Sequence, residues 1–92
     1  STKIPYIIQH NYTPDFLLAN GIYLETKGYW DANDRRKIKA VKTLHPEIDL
    51  RMVFQNPFNT ISKRSHTTYA MYCDRLSIPW TSFTNIPIDW LT

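Results

Sequence analysis

Pro14-Asp15-Phe16-Leu17-Leu18-Ala19-Asn20-Gly21-Ile22-Tyr23-Leu24-Glu25-Thr26-Lys27-Gly28 is the stretch that decides the fold. Two apolar, β-leaning runs, 15–18 and 22–27, flank Ala19-Asn20-Gly21, and an Asn-Gly pair between such runs is a strong hairpin signal. Gly28 then breaks the second strand. Alternate residues of a strand share a face, so Glu25 and Lys27 point one way while Ile22 and Leu24 point into the core. Two charges on one face of a buried strand need a reason, because unpaired buried charge is costly. Register sets what the hairpin can do. A two-residue Asn20-Gly21 turn would pair Ala19 with Ile22, set Asp15 against Thr26, and put Asp15 and Glu25 on opposite faces. A three-residue loop with Gly21 left-handed pairs Leu18 with Ile22 and Asp15 with Glu25. Only this second register unites the carboxylates, and it is the one expected.

Working outward, Asp31 or Asn33 can cap a helix reaching about Leu44, within which Ile38, Val41 and Leu44 or His45 recur at helical spacing. Pro46 ends it, and His45 is expected to meet the terminal carbonyls. Ile48 to Phe54 alternates as a strand, with Ile48, Leu50, Met52 and Phe54 opposite Asp49, Arg51 and Val53. A polar loop from 55 to 66 leads to a helix opened by Thr67 or Thr68, with Tyr69, Tyr72, Cys73 and Leu76 as its apolar stripe. A short extended segment follows near Trp80 to Phe83, and Ile4 to Ile8 can be a strand or an arm. Tyr29 and Trp30 are expected beneath the first helix, and Trp80 and Trp90 in the core. The order hairpin, helix, strand, helix, strand indicates an α/β (α+β) domain, a mixed β-sheet flanked by helices.

Composition narrows the function classes. Ninety-two residues make one domain with a small core, and a hydrophobic share of 42% fits an ordered protein. With two glycines there is no glycine-rich phosphate loop, so Walker-type and dinucleotide-binding readings fall away. Cys73 is the lone cysteine, which excludes an internal disulfide and a cysteine-built zinc site and suits a reducing cytoplasm. No apolar run is long enough to span a membrane, and the first residues lack a signal-peptide pattern, so a cytoplasmic location without a membrane partner is expected. The net charge of +3 is mild. Its distribution says more, because Arg35, Arg36, Lys37, Lys39 and Lys42 cluster, and Lys63, Arg64 and His66 form a second basic spot. Such clusters can serve a polyanion such as DNA, or be a solvated helix face and a polar loop. Arg35, Lys39 and Lys42 are near neighbours on a helix.

Two adjacent carboxylates repel unless a cation sits between them. Oxygen ligands with open positions suit Mg²⁺, or Mn²⁺ as a substitute. Lys27, on the same face, can orient or help activate a water and stabilise charge on a phosphate. A structural, salt-bridged hairpin fits the same residues. His10, Asn11 and Tyr12, just before the first strand, could touch such a site or be ordinary edge residues.

The runs Tyr12-Thr13-Pro14-Asp15-Phe16-Leu17-Leu18, Asn20-Gly21-Ile22 and Glu25-Thr26-Lys27-Gly28 resemble the bacteriophage endonuclease I family. The similarity continues through Asp34-Arg35-Arg36-Lys37, His45-Pro46-Glu47-Ile48-Asp49, Arg51, Val53-Phe54, Tyr69, Cys73, Ile86-Pro87 and Trp90, and so covers nearly the whole chain. That family contains Holliday-junction-resolving enzymes with a restriction-endonuclease-like PD-(D/E)XK core. The resemblance implies Mg²⁺-dependent cleavage of branched DNA, with Asp15, Glu25 and the Thr26 backbone carbonyl on the metal and Lys27 as the catalytic lysine. It strengthens the expectation of DNA contacts from Arg35, Arg36, Lys39 and Lys42 on the helix, beside those expected from Lys63, Arg64 and His66 in the polar loop, and implies a homodimer in a bacterial host cell. Family members carry an N-terminal helix with a further catalytic carboxylate, and residues 1–92 are expected to be a single core domain lacking it. That departure keeps two other readings open: a nickase cutting one strand of duplex DNA, and a DNA-binding core that does not cut.

Overall fold

The structure is a computed structural model and describes residues 4–7 and 10–92. Strands β1 (Ile4–Ile7) and β2 (His10–Tyr12) form an antiparallel ribbon. Of the two forms expected over Ile4 to Ile8, strand or arm, the strand is found as far as Ile7; Ile8, and the side chains of His10, Asn11 and Tyr12, lie outside the described residues. The main sheet runs β3 (Phe16–Leu17), β4 (Tyr23–Lys27), β5 (Leu50–Phe54), β6 (Trp80–Ser82), side by side in that order. β3 meets β4 antiparallel, while β4–β5 and β5–β6 are parallel. The expected mixed sheet is therefore present, and each parallel step is bridged by a helix.

Helix α1 (Ala32–Leu44) begins at Asp31, whose Oδ1 accepts the Asp34 N–H at 2.8 Å. This satisfies one of the helix's orphan amide donors. Helix α2 (Tyr69–Arg75) is capped in the same way by Thr68, whose hydroxyl accepts from Met71 N at 3.1 Å. Both helices feed one core. Ile38 and Val41 from α1 and Tyr69 and Cys73 from α2 pack with Leu50, Met52 and Phe54 of β5 and with fully buried Trp30. The alternation of β5 sends Val53 to the other face, where Ile22, Leu24 and Trp90 form a second cluster. Trp90, in a short 3-10 helix (Ile88–Trp90), is carried there by the end of the chain and lies under the Arg51 guanidinium, 5.0 Å from ring centroid to carbon.

Several boundaries differ from the sequence reading. Leu44 is exposed, so the α1 stripe ends at Val41. His45 is the helix-end residue expected: it caps α1, its backbone N–H donating to the Val41 carbonyl at 2.8 Å while its imidazole lies 3.4 Å from Glu47, and the Lys42 ammonium reaches the carbonyls of Pro46 and Ile48 at 3.4 Å. Trp30 is core as expected, ringed by Phe54, Tyr69 and Tyr72. Tyr29 is 78% exposed, because neighbours in extended chain point to opposite sides. Trp80 is only half-buried, its indole N–H donating to Asp74 at 2.9 Å.

Candidate active site

The hairpin loop sets the site. Leu18 N–H donates to Ile22 O at 2.9 Å and Gly21 N–H to Leu18 O at 3.0 Å, with Gly21 at φ 87°. Asn20 completes the turn, its Oδ1 accepting from Ile22 N at 3.2 Å while its amide nitrogen reaches the Trp90 carbonyl at 3.1 Å. Phe16 therefore pairs with Leu24 and Leu17 with Tyr23, which carries Asp15 to the position opposite Glu25. The three-residue-loop register is the one found.

At that position Asp15 N–H donates to Glu25 Oε1 at 3.1 Å. The Asp15 carboxylate turns toward Thr26, accepting from its amide at 2.9 Å and its hydroxyl at 3.0 Å. Glu25 is buried at 5% exposure, and its Oε2 lies 3.6 Å from Lys27 Nζ. Lys27 also donates to Asp34 Oδ2 at 3.2 Å, bringing the first turn of α1 to the end of β4. Burial alone would lower the Lys27 pKa. The Asp34 hydrogen bond and the charges of Glu25, Asp34 and Asp15 outweigh it and hold the ammonium above its ordinary 10.5.

Asp15, Glu25, Thr26 and Lys27 thus meet at the carboxyl end of the parallel strands, where open α/β sheets place their ligands. The fit to a metal turns on the donors. Among the described residues, no three acidic, histidine or cysteine side chains gather into a metal-holding group. Two carboxylates and a carbonyl nevertheless suit Mg²⁺, which keeps several of its waters and takes one or two carboxylates from the protein. A residue in a strand directs its N–H and C=O to the same side. Because the Thr26 N–H turns to Asp15, its carbonyl faces that edge too.

The basic candidates divide. Arg35 donates to the Trp30 carbonyl at 2.6 Å, Arg36 to Asn33, and Lys42 to the carbonyls after α1. Lys39, Lys63, Arg64 and His66 are exposed and make no side-chain hydrogen bond or ion pair among the described residues. They lie on α1 and in the 55–68 loop.

Asp34 was missed as a site residue. It stands three positions after the cap Asp31, and only the docking of α1 against β4 reveals its partner. Gln55 and Phe83 were missed too. They line a pocket of about 210 Å³ with Thr26, Lys27, Gly28 and Val53; their place just past the carboxyl ends of β5 and β6 was the available signal.

Residues 1–92 match the phage endonuclease I family. The chain belongs to that family. Endonuclease I of Escherichia phage T7 is 42% identical over 92 residues, covering 97% of this chain and 61% of the relative. Endodeoxyribonuclease 1 of Enterobacteria phage T3 is 47% identical over 79 residues, covering 83% and 52% respectively. The chain therefore spans between half and two thirds of the length of these endonuclease I relatives, and the resemblance carried by Pro14 to Gly28 holds across the domain.

Proposed function

We propose that this chain is the core of a metal-dependent endodeoxyribonuclease of the PD-(D/E)XK type that hydrolyses phosphodiester bonds in branched or distorted DNA. The observation that carries this reading is the register that sets Asp15 directly opposite Glu25, with Lys27 on the Glu25 face. The names of the phage relatives support DNA cutting.

Asp15, Glu25 and the Thr26 carbonyl would hold Mg²⁺, or Mn²⁺ in its place. The metal supplies charge neutralisation at the phosphate and makes water more acidic. The protein's part is positioning. Thr26 fixes the Asp15 carboxylate and the Asp15 amide fixes Glu25, so the oxygens are set before substrate arrives. Lys27, 3.6 Å from Glu25 and on the same face of β4, presents positive charge toward the phosphate and can orient the attacking water. Lys39, Lys63, Arg64 and His66 supply phosphate contacts. A homodimer in the cytoplasm of a bacterial host belongs to the same proposal; among the described residues no helix is long and apolar enough to cross a membrane.

The test is a cleavage assay with Mg²⁺ or Mn²⁺ on supercoiled plasmid and on a synthetic four-way junction, with Glu25→Ala beside the wild type. Symmetric junction cuts that vanish in the variant are expected. Plasmid nicking without junction cutting would turn the reading to a nickase. Binding of both substrates with no cutting would leave a DNA-binding core.

A further inference from the structure

The pocket beside Lys27 has a chemistry unlike that of the carboxylate edge. Thr26 and Val53 pair across β4 and β5 and form its wall on the face away from the helices. Phe83 and Gln55 complete the lining with Gly28. Among the described residues Lys27 is the only charged residue that lines it, and its ammonium is engaged by Glu25 and by Asp34 of α1. The rest of the described lining is neutral. A flat, neutral group with a hydrogen-bonding edge would find an aromatic ring and a carboxamide.

Both residues are tied down through their backbones. Phe83 N–H donates to the Phe54 carbonyl at 3.0 Å, and the turn behind it is pinned by Asn85 N–H to Ser82 O at 3.0 Å and Thr81 Oγ1 to Asn85 O at 3.0 Å. The ring is nonetheless 56% exposed, an apolar surface left uncovered on a pinned backbone. The Gln55 amide N–H donates to the Lys27 carbonyl at 3.0 Å, tying the residue to the end of β4. The Gln55 carboxamide lies over Gly28, its Oε1 3.0 Å from where a Cβ would stand, so the absence of a side chain at 28 leaves it room.

We propose that this pocket receives a nucleobase turned out of its stack, lying on Phe83 and hydrogen-bonded by Gln55, from a nucleotide adjoining the phosphodiester held at Asp15 and Glu25. The inference rests on the nuclease reading and adds to it a source of preference for distorted DNA. A base already unstacked enters without the cost of extraction, whereas a base in a regular duplex must pay a few kcal/mol to leave its stack. Aromatic stacking tolerates any base, and a carboxamide can favour adenine through paired hydrogen bonds.

The test places a fluorescent aminopurine on either side of the cleavage position in a four-way junction. Binding is followed with Ca²⁺ and again with EDTA, so the signal does not depend on cutting. Wild type and Phe83→Tyr should quench the aminopurine at one flank. Phe83→Ala should not, and should bind about tenfold more weakly, the loss of one stacked base. Gln55→Ala should bind a few-fold more weakly. An abasic site at that flank should weaken the wild type as much as Phe83→Ala does, and weaken Phe83→Ala no further. Equal signals and affinities for wild type and Phe83→Ala on DNA that both bind would overturn the pocket and leave the nuclease reading standing. Failure of the wild type to bind DNA at all would sink both.

Discussion

Glu25 shows how tightly the candidate site is drawn. It is buried, yet its two oxygens face the Asp15 amide and the Lys27 ammonium, and Lys27 continues the chain of contacts to Asp34. Such a linked set is costly to open in part, since a buried charge left alone loses what offset its desolvation. Asp15→Ala and Glu25→Ala should each abolish cleavage while circular dichroism still reports a folded domain; full activity in either variant would refute the site assignment. Lys27→Ala should lower kcat by about a hundredfold, the usual effect of removing a preorganised charge. Asp34→Ala leaves Lys27 with Glu25 alone at 3.6 Å. Its kcat should fall by a smaller factor, roughly tenfold, with KM little changed and partial recovery in Asp34→Glu. A melting-temperature loss that tracks the loss of rate would instead make Asp34 a structural residue.

Among the elements, the hairpin was the most legible and the ribbon of β1 and β2 the least. The loop could be read because its chemistry is local: Gly21 takes φ 87°, a conformation that side chains with a Cβ resist. The cap at Asp31 is local in the same way. Asp34, Gln55 and Phe83 could not be read as neighbours of Lys27, because their proximity depends on how α1, β5 and β6 dock beside β4. Tyr29 and Leu44 were misplaced for a related reason, since an apolar residue at the end of an element has no periodic neighbour to fix its face. The glycine offers a clean check. A Cβ there meets nothing within 4 Å, so Gly21→Ala carries only the backbone cost of about 1 kcal/mol, worth roughly 5 °C in melting temperature for a domain of this size. Gly21→Asn should cost less, because asparagine enters the left-handed region more readily. Cleavage should survive both if the register holds. Lost cleavage in a stable Gly21→Ala protein would mean that the strand had slipped and taken Asp15 off the Glu25 face.

For the whole molecule, the two-faced core followed from the alternation of β5, but the electrostatic surface did not follow from the count of basic residues. A cluster in sequence is not a cluster of free charges. Arg35 and Lys42 are engaged with backbone carbonyls, whereas Lys39, Lys63 and Arg64 stand exposed without side-chain partners among the described residues. Each phosphate neutralised by a protein cation releases counterions, so the slope of log affinity against log salt counts the contacts, at about 0.9 per phosphate on duplex DNA. Replacing Lys63 and Arg64 together by alanine should therefore flatten that slope by close to two such steps, weaken binding to all sequences alike, and leave the melting temperature within about a degree, since exposed charges contribute little to stability. Arg35→Ala should do the reverse. It removes the 2.6 Å bond to the carbonyl of the core residue Trp30, so it should lower the melting temperature by several degrees, in keeping with about 1.5–3 kcal/mol for a hydrogen bond from a charged donor, and leave the salt slope nearly unchanged. A slope altered by Arg35→Ala and untouched by the Lys63 and Arg64 pair would put the DNA on α1 rather than on the 55–68 loop.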